Sequence, residues 1–158
     1  MITAAANIRE KTASLGVQST VGFIALGAFY SLIHSLLEEY YWRWFVFGLL
    51  RRDTLSDNFG LTQPVTHNAS MPVKTERMPL LNALLISSLG FAAHHLLLVA
   101  TFFGWASPAT YFFTACVAIG GMFWGWLYEK SGSLYGSWFS HLLVDMGIFA
   151  VGYAIVYM

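Results

Sequence analysis

The chain has 158 residues, 57% of them hydrophobic and only 10% charged, where soluble domains carry about 25% charged residues. Its formal net charge is zero, so nothing points to a nucleic-acid partner. Cys116 is the single cysteine; it cannot close an internal disulfide or join a second thiol in a Cys-rich metal site, and in its apolar run it reads as a small core residue. Several apolar runs approach or exceed the roughly 20 residues that cross a bilayer as a helix. The expected fold is therefore an all-α membrane protein, a bundle of about four transmembrane helices, in one domain over residues 1–158.

Residues 1–16 mix apolar and charged side chains, with Arg9, Glu10 and Lys11. They lack the layout of a cleaved signal peptide and are expected to form a short amphipathic helix at the membrane interface. The first span is predicted from Val17 or Thr20 to Leu50, long for one crossing. A polar loop over 51–79 follows, with Pro64, Pro72 and Pro79 as breakers. It contains His67, read as a solvated residue, and an Asn68-Ala69-Ser70 glycosylation sequon, a pattern common by chance.

The second span is predicted over Leu80–Phe103, closed by Gly104. Ser107-Pro108 opens the third, with proline in the first turn, where a missing N–H costs little. It runs to about Tyr128, and Gly121 and Gly125 give it a small face for close helix approach, within the chain or between copies. Phe123, Trp124, Trp126 and Tyr128 read as an interfacial aromatic belt. Residues 129–133 form a turn, and the fourth span runs from about Leu134 to Tyr157. The 51–79 loop carries four Lys/Arg and shares its side of the membrane with Lys130. The positive-inside rule places that side in the cytoplasm.

A short polar set lies within these spans: His34, Glu38, Glu39, Arg43, His94, His95, His141 and Asp145. Charged groups in hydrocarbon are expensive, so each is a candidate functional residue. Glu39 and Arg43 are i,i+4 neighbours with the carboxylate N-terminal, the favourable order for an ion pair. Glu38 lies about 100° around the helix and finds no cation in its own segment. It either stays protonated or faces polar groups from elsewhere. His34 shares its face, as His141 shares one with Asp145 and Phe91 with His95. Such carboxylates and imidazoles on facing helices can satisfy one another or build a water-activating centre. Ser87 and Ser88 lack a nucleophile-elbow context and read as helix-packing residues; no His-Glu-x-x-His zinc motif occurs.

Glu38-Glu39-x-x-x-Arg43, Phe91-x-x-x-His95 and His141-x-x-x-Asp145, in that order on three membrane helices, resemble the CPBP family, the CAAX-protease and bacteriocin-processing membrane proteins. The resemblance covers roughly residues 25–150 and extends to the Gly125–Leu134 approach to the third motif. It implies a membrane-embedded endopeptidase acting on a peptide or protein substrate in or near the bilayer of a bacterial cell membrane. In the roles it implies, Glu38 and His95 activate water, and His141 and Asp145 support the oxyanion or the site. Glu39 and Arg43 fix the first helix. Asp145 stands where the family also uses Asn; as a carboxylate it repels an oxyanion, so it reads as orienting His141 or binding a metal. His94, beside His95, is a second assignment for the motif histidine, although the spacing from Phe91 favours His95. Two mechanisms stay open here: a metal-free glutamate mechanism, or a divalent metal such as zinc held by Glu38, His95, His141 and Asp145. Two non-hydrolytic classes stand beside them. One is an inactive binding or immunity protein with the same fold; the other is a proton or ion carrier using the Glu–His–His–Asp set.

Overall fold

The computed structural model describes residues 4–14, 16–17, 19–51 and 78–158. Asn68-Ala69-Ser70, His67 and the interior of the polar loop lie outside them. Helix α1 spans Ala4–Ser14. Four helices long and apolar enough to cross a membrane follow: α2 (Thr20–Arg51), α3 (Leu80–Phe103), α4 (Pro108–Ser131) and α5 (Leu134–Tyr157). Among the described residues there is no strand.

The helix ends follow local chemistry. Ser19 caps α2 by accepting the Gly22 N–H at 3.0 Å, and Pro108 occupies the first turn of α4. Gly132 ends α4 in the left-handed region (φ +64°), which costs glycine little, and Ser133 accepts the Tyr135 N–H to start α5. Charged Glu129 and Lys130 had suggested a turn over 129–133, but α4 continues through them to Ser131. They stay helical because Glu129 pairs with Arg51 at the end of α2, and Arg51 also donates to the Met78 carbonyl.

The long first span is one helix with two π-helical segments, Tyr30–His34 and Tyr40–Phe47. In the first, the Ser35 N–H reaches the Tyr30 carbonyl; at the end of the second, the Gly48 N–H reaches that of Arg43. Each widened turn rotates the side chains beyond it, and such turns concentrate at functional sites. The ordinary α-helical stretch between them, Ser35–Glu39, holds the two glutamates.

Helices α3 and α4 pack most closely, through small residues. A Cβ on Gly125 would meet Leu84 Cδ2 at 2.7 Å, and one on Gly121 would meet Ser88 and Phe91 at 3.2 Å. The glycine face is thus used within the chain. At one end of the bundle Phe47, Ala83 and Leu84 form an apolar core with Leu50, Met78, Leu80 and Tyr128 around it. At the other end Phe23 meets Phe149, Tyr153 and Tyr157 edge-on, and Arg9 of α1 donates to the Ile155 carbonyl at 2.8 Å. Cys116 does not enter the core but is exposed on the bundle surface. An apolar run in a membrane helix serves hydrocarbon as readily as protein, so its hydrophobicity does not say which way a residue faces.

Candidate active site

The adjacent glutamates of α2 meet different surroundings. Glu39 is fully buried. Its Oε1 lies 3.2 Å from Arg43 Nη1, the i,i+4 pair, and also takes a hydrogen bond from His141 Nδ1 of α5 at 2.9 Å. The Arg43 guanidinium is buried over the Phe91 ring (4.4 Å to the centroid) and near Trp124 (5.3 Å), and Nη2 approaches the Gly121 carbonyl at 3.4 Å. Cation–π contacts and a carbonyl thus surround the charge on the sides that Glu39 leaves open. Trp124 stacks on His141 with centroids 4.1 Å apart and planes 19° apart, and Ser137 of α5 donates to the Trp124 carbonyl at 2.9 Å. One unit built from α2, α3, α4 and α5 therefore locks the His141 ring.

Trp124 departs from the aromatic-belt reading. Phe123 and Trp126 are exposed as a belt requires, whereas Trp124 points inward and is buried. Successive helical residues are about 100° apart, so a cluster adjacent in sequence divides between lipid and core.

Glu38, one position earlier, turns toward a group of imidazoles. Its Oε1 lies 3.2 Å from His94 Nε2 and 3.7 Å from His95 Nε2, both from α3. Its Oε2 lies 3.6 Å from His141 Nε2 and 3.8 Å from His34 Nδ1. The polar groups that Glu38 meets from other helices are His94, His95 and His141. Asp145 Oδ1 lies 3.7 Å from His141 Nε2. The His141 ring also donates from Nδ1 to Glu39 at 2.9 Å, so carboxylates contact both of its nitrogens. Spacing along α5 revealed the His141–Asp145 pair; a contact between residues 102 positions apart has no such signature.

His94 also stands beside Glu38. Both His94 and His95 hydrogen-bond through Nδ1 to the Phe91 carbonyl, at 3.2 and 2.9 Å. A carbonyl only accepts, so both Nδ1 atoms carry a hydrogen, and both Nε2 atoms are turned toward Glu38. His94 stacks on Trp42, whose carbonyl accepts from Ser87, and Gly90 leaves room for the Trp42 ring. His34 lies where its i,i+4 relation to Glu38 puts it, beside that carboxylate.

A pocket of about 360 Å³ opens beside Glu38, lined by His34, Leu37, Glu38, Tyr41, Trp42 and His94. Thus His94 and His34 stand on the open side of the carboxylate, with His95 and His141 behind it. Among the described residues Glu38 Oε1 is buried and accepts no hydrogen bond. Glu38, His94 and His95 also bring three ligand atoms within 4.8 Å of one another, so the donor set fits a divalent metal. His94 stands in this group where the sequence had placed His141 and Asp145.

A four-helix membrane bundle with carboxylates and imidazoles converging between its helices defines the class. The model of the type II CAAX prenyl endopeptidase Rce1-like family matches residues 20–147, and the chain belongs to that family. The match agrees with the resemblance carried by the three motifs and takes in all of the intramembrane polar set from His34 to Asp145. No curated protein and no solved structure matches the chain. Family and spans together describe an integral membrane protein of a protease family.

Proposed function

We propose that the protein is a membrane-embedded endopeptidase that hydrolyses a peptide bond of a membrane-associated substrate. The observation that carries this reading is the meeting of His94, His95 and His141, from two other helices, around the Glu38 carboxylate beside an open pocket. Unpaired polar groups are costly in an apolar bundle, and a set of this kind is the usual mark of chemistry in a membrane.

In the proposed reaction a water lies between Glu38 and the histidines of α3. Glu38 accepts one of its protons while His95 holds the water in place. The oxygen adds to the scissile carbonyl carbon as the C=O π pair moves onto oxygen. His141 has its Nδ1 hydrogen committed to Glu39, so a second proton at Nε2 makes it the donor to that oxyanion. Asp145 lies on the same Nε2 side and supports the charged ring. Glu38 then returns its proton to the leaving amine, and the C–N bond breaks. Glu39, Arg43, Phe91 and Trp124 hold the ring positions.

The test is Glu38→Gln in full-length protein, assayed on membrane-anchored reporter peptides with and without a prenylated C-terminal tail. Cleavage should fall about 10²–10⁴-fold while the protein remains folded in the membrane. Undiminished cleavage by this variant would overturn the assignment.

A further inference from the structure

We propose that Ser35, Ser87 and Trp138 are positioning residues. Through hydrogen bonds to carbonyls in the two π segments of α2, they hold the helix rotation that turns Glu38, rather than Leu37, toward His94, His95 and His141. The rotation stands on hydrogen bonding and packing alone; only its consequence for cleavage rests on the hydrolase reading above.

A π turn fits one extra residue into a helix. Every side chain beyond it therefore stands one residue's step, about 100°, behind its place in a regular helix. The part of α2 before the first π segment is anchored on α5. Phe23 packs edge-on against Phe149, Tyr153 and Tyr157, and a Cβ on Gly27 would meet the Phe149 ring at 3.1 Å. With that part fixed, closing Tyr30–His34 to regular helix would bring Leu37 to the face that Glu38 now holds. Which residue is offered to the three imidazoles is thus decided at this segment.

The wide turn frees a backbone group. The Ser35 N–H bonds to the Tyr30 carbonyl, so the Ser31 carbonyl loses the donor that a regular helix would give it. The buried Ser35 hydroxyl replaces that donor, reaching the Ser31 carbonyl at 2.5 Å. Beside it the Trp138 indole of α5 donates from Nε1 to the Leu32 carbonyl at 3.1 Å. Serine side chains and neighbouring helices are the usual means of satisfying such irregular backbone in a membrane. The second segment carries a bond of the same kind: Ser87 of α3 donates to the Trp42 carbonyl at 3.1 Å, and Gly90 leaves the space for the Trp42 ring. Each π segment beside the glutamates therefore takes a hydrogen bond from another helix. Trp138 lies one turn before His141, which donates to Glu39, so one stretch of α5 sets both the His141 ring and the rotation of the carboxylate facing it.

The experiment uses the full chain labelled with ¹⁵N-histidine in detergent, and reads the imidazole nitrogen signals together with kcat and KM. Glu38→Gln gives the reference change in those signals, because it removes the carboxylate that the rings face. Ser35→Ala, Ser87→Ala and Trp138→Phe each delete one hydrogen bond and keep most of the side-chain volume. Each should move the ring signals in the same direction as Glu38→Gln. Each should also lower kcat about 10²-fold, the cost of misplacing a reacting group by about 1 Å, with KM within about threefold of its original value. Thr114→Val removes a comparable bond within α4, to the Thr110 carbonyl at 2.8 Å, and should change neither readout. Ring signals unaltered in all three variants would overturn the proposal, and so would losses of kcat no larger than that of Thr114→Val. Trp138 is partly exposed and the serine variants only shorten a side chain, so the three are expected to fold; the melting temperature checks this. The two readings separate cleanly. Ring signals that follow Glu38→Gln in a chain that cleaves nothing keep the rotation and remove the endopeptidase. Cleavage by a chain whose ring signals ignore all three substitutions does the reverse.

Discussion

Glu38 and Glu39 are neighbours in sequence with opposite circumstances. Glu39 is sealed: Arg43 balances its charge, His141 donates to it, and Phe91 and Trp124 close over the pair. Glu38 is open on one side and faces imidazole nitrogens at 3.2–3.8 Å without a hydrogen bond to Oε1. A buried carboxylate with a dedicated cation supports structure; one among uncommitted nitrogens beside a pocket supports reaction. The pair shows how about 100° of helix rotation separates a sealed carboxylate from an open one.

That contrast breaks most sharply if the open glutamate proves structural. Glu38→Gln should lower cleavage about 10²–10⁴-fold, the usual contribution of a general base, with little change in the melting temperature in detergent. A matching loss of thermal stability and cleavage would merge the two regions. On the sealed side the order reverses. Arg43→Met leaves Glu39 buried without its cation and should cost about 3–5 kcal/mol, measured by unfolding in mixed micelles. Near-normal stability would show that Glu39 does not need its partner.

Smaller effects sharpen the picture. Gly125→Val drives a branched side chain into Leu84 and should cost about 1–3 kcal/mol by overpacking. Because Gly125 packs within the chain, the oligomeric state should not change, which light scattering of the purified protein would show. Ser137→Ala removes the hydrogen bond to the Trp124 carbonyl and should cost about 1 kcal/mol. If Trp124 holds His141, kcat should fall while KM stays near its original value; an unchanged kcat would limit Ser137 to packing.

Much of this was legible along the chain because it is local. The spans over Leu80–Phe103 and Leu134–Tyr157 carry their own boundary residues, and the long first span keeps its expected range. The Glu39–Arg43 pair is a helix-period relation and lies where periodicity puts it. The features that periodicity left out are contacts between helices. Trp124 read as belt because its neighbours are belt, and Cys116 read as core because its run is apolar. His94 ranked below His95 because motif spacing counts residues, while the Phe91 carbonyl holds both rings.

By itself the sequence determined the class of the molecule and its intramembrane polar set: apolar runs too long for anything but membrane helices, with eight titratable residues inside them that hydrocarbon does not tolerate without cause. It also determined the short-range pairings, since a helix repeats every 3.6 residues whatever surrounds it. Only the tertiary structure decided which glutamate is sealed and which is open. That choice depends on where α3, α4 and α5 set their histidines, Trp124 and glycine faces against α2. Those distances are fixed by packing between helices, which no spacing within one helix encodes.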